Sequence, residues 1–199
     1  MDPAVTATPA TQRRLALLNH LYLLGMVTVI AAILTAAAIM QYAFGELPCP
    51  LCLLQRVAMF GVCFGLLLNL RGPYADRNTG IAMAFAILLL VVAERQSLLD
   101  IYPRPGHEYI GSTVLGLHMP VWSIVIALCL LIALAFRLAV LGGNDHMRGN
   151  DAATFPLIGR AAQIIRIYVI ALCAINFVSA IVQCGLGECH TMGYALLPK

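Results

Sequence analysis

Charge is what this chain has least of. Only 11% of its 199 residues are charged, against 61% hydrophobic, whereas a soluble domain carries about a quarter charged residues. So few charges cannot cover a water-facing surface. That excludes an ordinary soluble domain and makes the chain an integral membrane protein of one compact domain. There is no run of Lys or Arg, and the formal net charge is only +3, so no nucleic-acid partner is expected. Internal repeats and low-complexity segments are absent as well. The apolar stretches hold few ionisable residues and no paired carboxylates, which argues against a transporter.

What is present is five apolar stretches, roughly Leu15–Phe44, Leu53–Leu70, Gly80–Ala93, Met119–Leu141 and Leu157–Val182. A spanning helix needs about 20 residues. The third run is too short and is expected to continue through "ERQSLL" (Glu94–Leu99), with its charged groups at the membrane edge. Two Arg residues precede the first stretch and "TAAA" (Thr35–Ala38) lies within it, as in a signal peptide. The stretch is nevertheless too long for a signal h-region of about 7–15 residues, so it is expected to remain as a span.

Arginine position orients the spans. One set of connections contains Arg13, Arg14, Arg71, Arg77, Arg137, Arg148 and Arg160, and the other contains Arg104 and Lys199. The first set is expected in the cytoplasm. The expected order is a cytoplasmic segment 1–14, a four-span core 15–142, a cytoplasmic hinge 143–156, a fifth transmembrane helix 157–183 and an external tail 184–199. On that topology Cys49, Cys52, Cys184 and Cys189 share the outer side. Cys63, Cys129 and Cys173 fall within spans and read as buried packing sulfur.

Four cysteines on an oxidising face can form two disulfides. In "CPLC" (Cys49–Cys52), Pro50 suits the first turn of a helix, where its missing N–H costs nothing. A helix N-terminus favours thiolate through its partial positive charge. Arg56 lies four residues after Cys52, on the same helix face. It either stabilises a thiolate or another anion, or snorkels to the headgroups. Cys184 and Cys189 flank "GLGE", whose glycines permit a tight loop. These cysteines could instead close a structural disulfide, bind zinc together with the first pair, or attach haem, although "CGLGECH" is longer than the usual C-x-x-C-H spacing.

"CPLCLLQRVAMFG" (Cys49–Gly61) resembles the signature of the disulfide bond formation protein B (DsbB) family: a C-x-x-C, an Arg four residues on, then V-A-x-F-G. "LLDIYPRP" (Leu98–Pro105) and "LGLHMPVW" (Leu115–Trp122) resemble the family's sequence after its third helix and at the start of its fourth. The likeness covers roughly the first 140 residues. It implies an all-α integral membrane protein, a four-helix transmembrane bundle of DsbB type to which this chain adds a fifth C-terminal transmembrane helix. It also implies the bacterial inner membrane and reoxidation of a periplasmic DsbA-like thiol oxidant with electrons passed to a quinone (ubiquinone or menaquinone); with the arginine count and five spans, the N-terminus is then expected to be cytoplasmic and the C-terminus periplasmic. By the same resemblance Cys52 is the quinone-proximal thiol, Cys49 its exchange partner, and Arg56 sits beside the quinone.

The chain departs from the family in two places. The family's second cysteine pair lies between helices three and four, yet Gln96–His118 contains no cysteine. A histidine often found near the quinone aligns with Gln96. An extra span returns the tail to the outer side, so Cys184 and Cys189 are expected to be the relocated second redox pair. The expected catalytic residues are then Cys49, Cys52, Cys184 and Cys189. Arg56, Cys52 and Gln96 are expected to contact the cofactor, and no metal ligands are expected. The alternatives are a metal- or haem-binding membrane protein using the same cysteines, and a non-catalytic scaffold with structural disulfides.

Overall fold

The computed structural model describes residues 8–101, 113–141, 147, 149–185 and 194–196. Five long helices carry the fold: α1 (Pro9–Ala43), α2 (Pro50–Arg71), α3 (Asp76–Ile101), α4 (Met119–Leu141) and α5 (Pro156–Cys184). All five are long and apolar enough to cross a membrane. Outward-facing Leu18, Val29, Phe64, Ile132 and Ile170 are exposed, as suits side chains that meet lipid. α1 starts earlier than its apolar run because Pro9 occupies its first turn and the Thr8 hydroxyl accepts from Thr11 N at 3.4 Å, an N-cap. α3 runs through Glu94–Leu99, with Glu94 and Arg95 exposed. A hairpin, β1 (Thr113–Val114) with β2 (Leu117–His118), precedes α4. Its turn residues Leu115 and Gly116 have φ of 51° and 79°.

The core is a set of helical stripes. Leu23, Val27, Ile30 and Leu34 of α1 are buried, as are Ala58, Val62 and Leu66 of α2 and Ala82, Ala86 and Leu89 of α3, spacings that keep one face of each helix inward. Lipid is as apolar as leucine, so close backbone approach matters more here than hydrophobic burial. A Cβ added at Gly65 would lie 2.6 Å from the Asn78 carbonyl oxygen of α3, which fixes how near α2 and α3 can come. α5 packs against α1 and α2. One polar tie from α5 is the Tyr168 hydroxyl, 2.7 Å from Thr35 Oγ1.

Arg137 does not belong to a connection as the topology count assumed. It lies inside α4 and is only 2% exposed. Its Nε donates to Asn19 Oδ1 at 3.0 Å, and its guanidinium carbon sits 3.9 Å above the centre of the Tyr74 ring. A cation can occupy such depth because donors meet oxygens and its face meets a ring quadrupole. Two of the three span cysteines also depart from expectation: Cys63 is buried, but Cys129 and Cys173 are exposed on the outward surface. A cysteine is small and apolar enough to face lipid as easily as to fill a core.

Candidate functional site

Alternation of the helices brings the C-terminal ends of α1, α3 and α5 and the N-terminal ends of α2 and α4 to one membrane face. Cys49, Cys52, Gln96 and Cys184 all lie at that face. Cys49 is the N-cap of α2: its Sγ accepts from Cys52 N at 3.0 Å, with Pro50 in the first turn. That geometry folds the C-x-x-C into one turn, with the two Cα atoms 5.0 Å apart and the sulfurs joined as a disulfide. Cys49 is 5% exposed and so covered, whereas Cys52 is only partly buried.

Cys52 lines a cavity of about 350 Å³ between α1, α2 and α4. Its walls are mostly apolar, among them Leu34, Met40, Met59 and Ile126, with the Trp122 ring and the hairpin residue Val114. Trp122 Nε1 donates to the Val114 carbonyl at 2.8 Å, which ties the hairpin to α4. Its polar lining is Gln55 and Arg56 of α2, Ser123 of α4 and Glu46 of the α1–α2 connection.

Arg56 points inward and does not snorkel. Its Nη1 donates to Gln41 Oε1 at 2.6 Å and Asn176 Oδ1 at 3.4 Å, and its Nη2 to the Ala37 carbonyl at 3.1 Å. All three acceptors are uncharged, so the cation keeps its full charge for whatever anion forms in the cavity. Gln41 is 2% exposed, and its Nε2 donates to Ser179 Oγ at 2.6 Å and to the Tyr194 hydroxyl at 3.4 Å. The fifth helix and the tail therefore hold the residue that holds Arg56.

Gln96 is 6% exposed. Its Nε2 lies 3.3 Å from Cys49 Sγ and 3.5 Å from Cys52 Sγ. A relay stands behind it: Ser123 Oγ donates to Gln55 Oε1 at 2.8 Å, and Gln55 Nε2 donates to Gln96 Oε1 at 2.9 Å. The relay fixes the Gln96 amide so that its N–H faces sulfur. A neutral amide can donate a hydrogen bond to a thiolate.

Cys184 closes α5 and is engaged in a disulfide. Cys189 lies outside the described residues, as do Arg104, Arg148 and Lys199 of the topology argument. The chain next to Cys184 touches the chain next to Cys49, because Gln183 Nε2 donates to the Pro48 carbonyl at 2.7 Å. Sequence reasoning passed over Gln41, Gln55, Ser123, Asn176, Ser179 and Gln183. The only available signal was polar residues in otherwise apolar runs, which membrane proteins retain where they bond across helices.

Residues 19–108 match the family model described as Disulfide bond formation protein DsbB. Relatives named Disulfide bond formation protein B are similar. The one from Aromatoleum aromaticum is 37% identical over 86 residues, 40% of this chain and 51% of the relative. The one from Cupriavidus metallidurans is 29% identical over 149 residues, 60% of this chain and 92% of the relative. The one from Azoarcus sp. is 33% identical over 91 residues, 40% of this chain and 54% of the relative. The chain thus spans about half the length of the first and third of these relatives. No solved structure matches the chain. The family match holds Cys49, Cys52, Arg56 and Gln96 and ends well before α5. A family model over residues 19–108 and three relatives bearing the family's name show the likeness of this chain to the DsbB family.

Proposed function

We propose that the chain is an inner-membrane thiol oxidase, a protein-dithiol:quinone oxidoreductase that reoxidises a periplasmic DsbA-like dithiol protein. The observation that carries this reading is a disulfide whose Cys52 lines a largely apolar cavity beside Arg56. The cavity fits a quinone: its size is that of a small-molecule site, its walls suit a lipid-soluble ring and chain, and Arg56 offers a donor to a carbonyl. A quinone bound there supplies an acceptor for two electrons and two protons.

The rest is the work of the chain's own residues. The dithiol of the partner attacks the tail disulfide, leaves oxidised, and reduces Cys184 and Cys189 to thiols. That tail dithiol next exchanges with Cys49–Cys52 and regains its own disulfide. Cys52 then holds the electron pair as thiolate at the cavity wall, with Arg56 opposing its charge and the Gln96 N–H donating to it. When the pair leaves, Cys49 and Cys52 close again. Two facts favour the tail as the point of contact: Cys49 is covered, and Gln183 abuts Pro48.

Arg56→Met should raise the quinone concentration needed for half-maximal turnover by roughly tenfold to a hundredfold, the worth of a hydrogen bond to a charged group. An unchanged quinone dependence would reduce Arg56 to a packing residue. Gln41→Leu should produce a smaller rise in the same constant, roughly twofold to tenfold, with turnover at saturating quinone little altered. Gln41→Glu keeps an acceptor for Arg56 but makes it anionic and removes the donors to Ser179 and Tyr194, so it should not restore the loss. If Gln41→Leu lowers only thermal stability, Gln41 does not position Arg56.

The proposed topology has the N-terminus cytoplasmic and the C-terminus periplasmic. It rests on Arg13, Arg14, Arg71, Arg77 and Arg160 flanking the spans on the face opposite the cysteines. A reporter active only in the cytoplasm, fused after Lys199, should stay silent. A strong signal would place the tail on the reducing side, where a disulfide rarely persists.

A further inference from the structure

A second cavity, of about 170 Å³, lies between α2 and α5 at the membrane face opposite the cysteines. Leu67 and Leu70 form its apolar part, and Arg71, Gln163 and Arg166 its polar part. The small residues Ala153, Gly159 and Ala162 leave the space open. No carboxylate lines it. Among the described residues neither Arg71 nor Arg166 has an ion pair or hydrogen-bond partner. Elsewhere in the bundle the deep arginines, Arg56 and Arg137, are each satisfied by protein oxygens. Arg71 is exposed and Arg166 half-buried, so two guanidinium groups on the lining of one cavity stand open to an anion from outside the chain.

The depth of the cavity indicates which anion. Arg71 ends α2, about 31 Å along the helix axis from Pro50, and Arg166 lies about 27 Å along α5 from Cys184. A hydrocarbon core is about 30 Å thick. Both arginines therefore reach the headgroup level of the face opposite Cys49 and Cys184, with Leu67 and Leu70 beside them for an acyl chain.

We propose that this cavity binds the phosphodiester headgroup of an anionic membrane lipid between α2 and α5. Arg71 and Arg166 clamp the phosphate, since guanidinium groups bind phosphate oxygens in a fork. Basic pockets between transmembrane helices are suited to such headgroups. The lipid would then pin the fifth helix, which lies outside the family match, to the core of the bundle. The site does not depend on the proposed thiol chemistry.

The test is native mass spectrometry of the full-length protein released from detergent, titrated with phosphatidylglycerol, phosphatidylcholine or inorganic phosphate. Phosphatidylglycerol should bind in preference to phosphatidylcholine. Binding should weaken about fivefold in Arg71→Gln or Arg166→Gln and about 25-fold in the double variant. Gln163→Trp, which fills the cavity and keeps both charges, should also abolish retention. Arg13→Gln with Arg14→Gln, which removes as much charge at the same face, should leave binding unchanged. Equal loss in that control would mean general charge attraction and would overturn the site. So would full retention in the Arg71 and Arg166 double variant. Displacement of the lipid by millimolar inorganic phosphate would reassign the site to a soluble anion and overturn the lipid proposal.

Discussion

Cys52→Ser is expected to abolish steady-state oxidation of the partner while leaving one round of electron uptake intact. A serine hydroxyl stays protonated at neutral pH and cannot join a disulfide, so the step at the cavity has no nucleophile. The proposed tail pair, whose Cys184 lies at the same membrane face, should keep its own disulfide and still accept electrons once. Mixing the reduced partner with this variant should therefore oxidise about one equivalent per protein, by the stoichiometry of exchange, and then stop. Continued turnover would show that electrons leave by a route other than Cys52. The loss of even the first equivalent would mean that the partner reacts at Cys49–Cys52 directly.

The complementary variant, Cys184→Ser with Cys189→Ser, should lose turnover with a protein dithiol and keep it with a small one. Cys49 is 5% exposed and flanked by Pro48, which Gln183 holds. A folded partner is expected not to reach Cys49, whereas a small dithiol can reach the half-buried Cys52 that lines the cavity. The single replacements should trap what the double one removes. With Cys184→Ser or Cys189→Ser combined with a replacement in the first pair, a mixed disulfide between the tail and the Cys49–Cys52 site should appear on a non-reducing gel. The tail disulfide of a structural staple would resist exchange, with a potential below roughly −300 mV. Normal oxidation of the protein partner by the double variant would end the idea that the second redox pair has moved from a loop to the tail.

The parts of this site that were legible in the sequence are those set by local spacing. Cys52 and Arg56 sit four residues apart, so one helix carries both to one wall. Pro50 marks the first turn, and α2 begins there. The third helix was recovered past its apolar run because the bilayer needs about 20 residues whether or not all are apolar. What stayed hidden depends on contacts across the chain. Gln41 meets Ser179 across 138 positions, and Arg56 meets Asn176 across 120. Nothing in the local pattern of either residue announces such a partner. Arg137 misled for the same reason: near the end of an apolar run it resembled a flanking cation, but Asn19 and Tyr74 bring its neutral partners from α1 and the α2–α3 connection. Resemblance alone leads to the expectation of Gln96 beside the cofactor; it lies against the two sulfurs and is not among the residues that line the cavity. Gln55 and Ser123, which orient it, lie on two other helices.

The central claim is that electrons from a dithiol protein reach a membrane quinone through Cys49–Cys52. Its most direct measurement is quinol formation by the purified full-length protein, supplied with a reduced DsbA-like donor and a soluble quinone analogue, with donor thiols counted in parallel. The account predicts one quinol for each donor disulfide formed, a stoichiometry set by two-electron exchange. Donor oxidation without quinol, or quinol formation that persists when Cys49 and Cys52 are both serine, would contradict it.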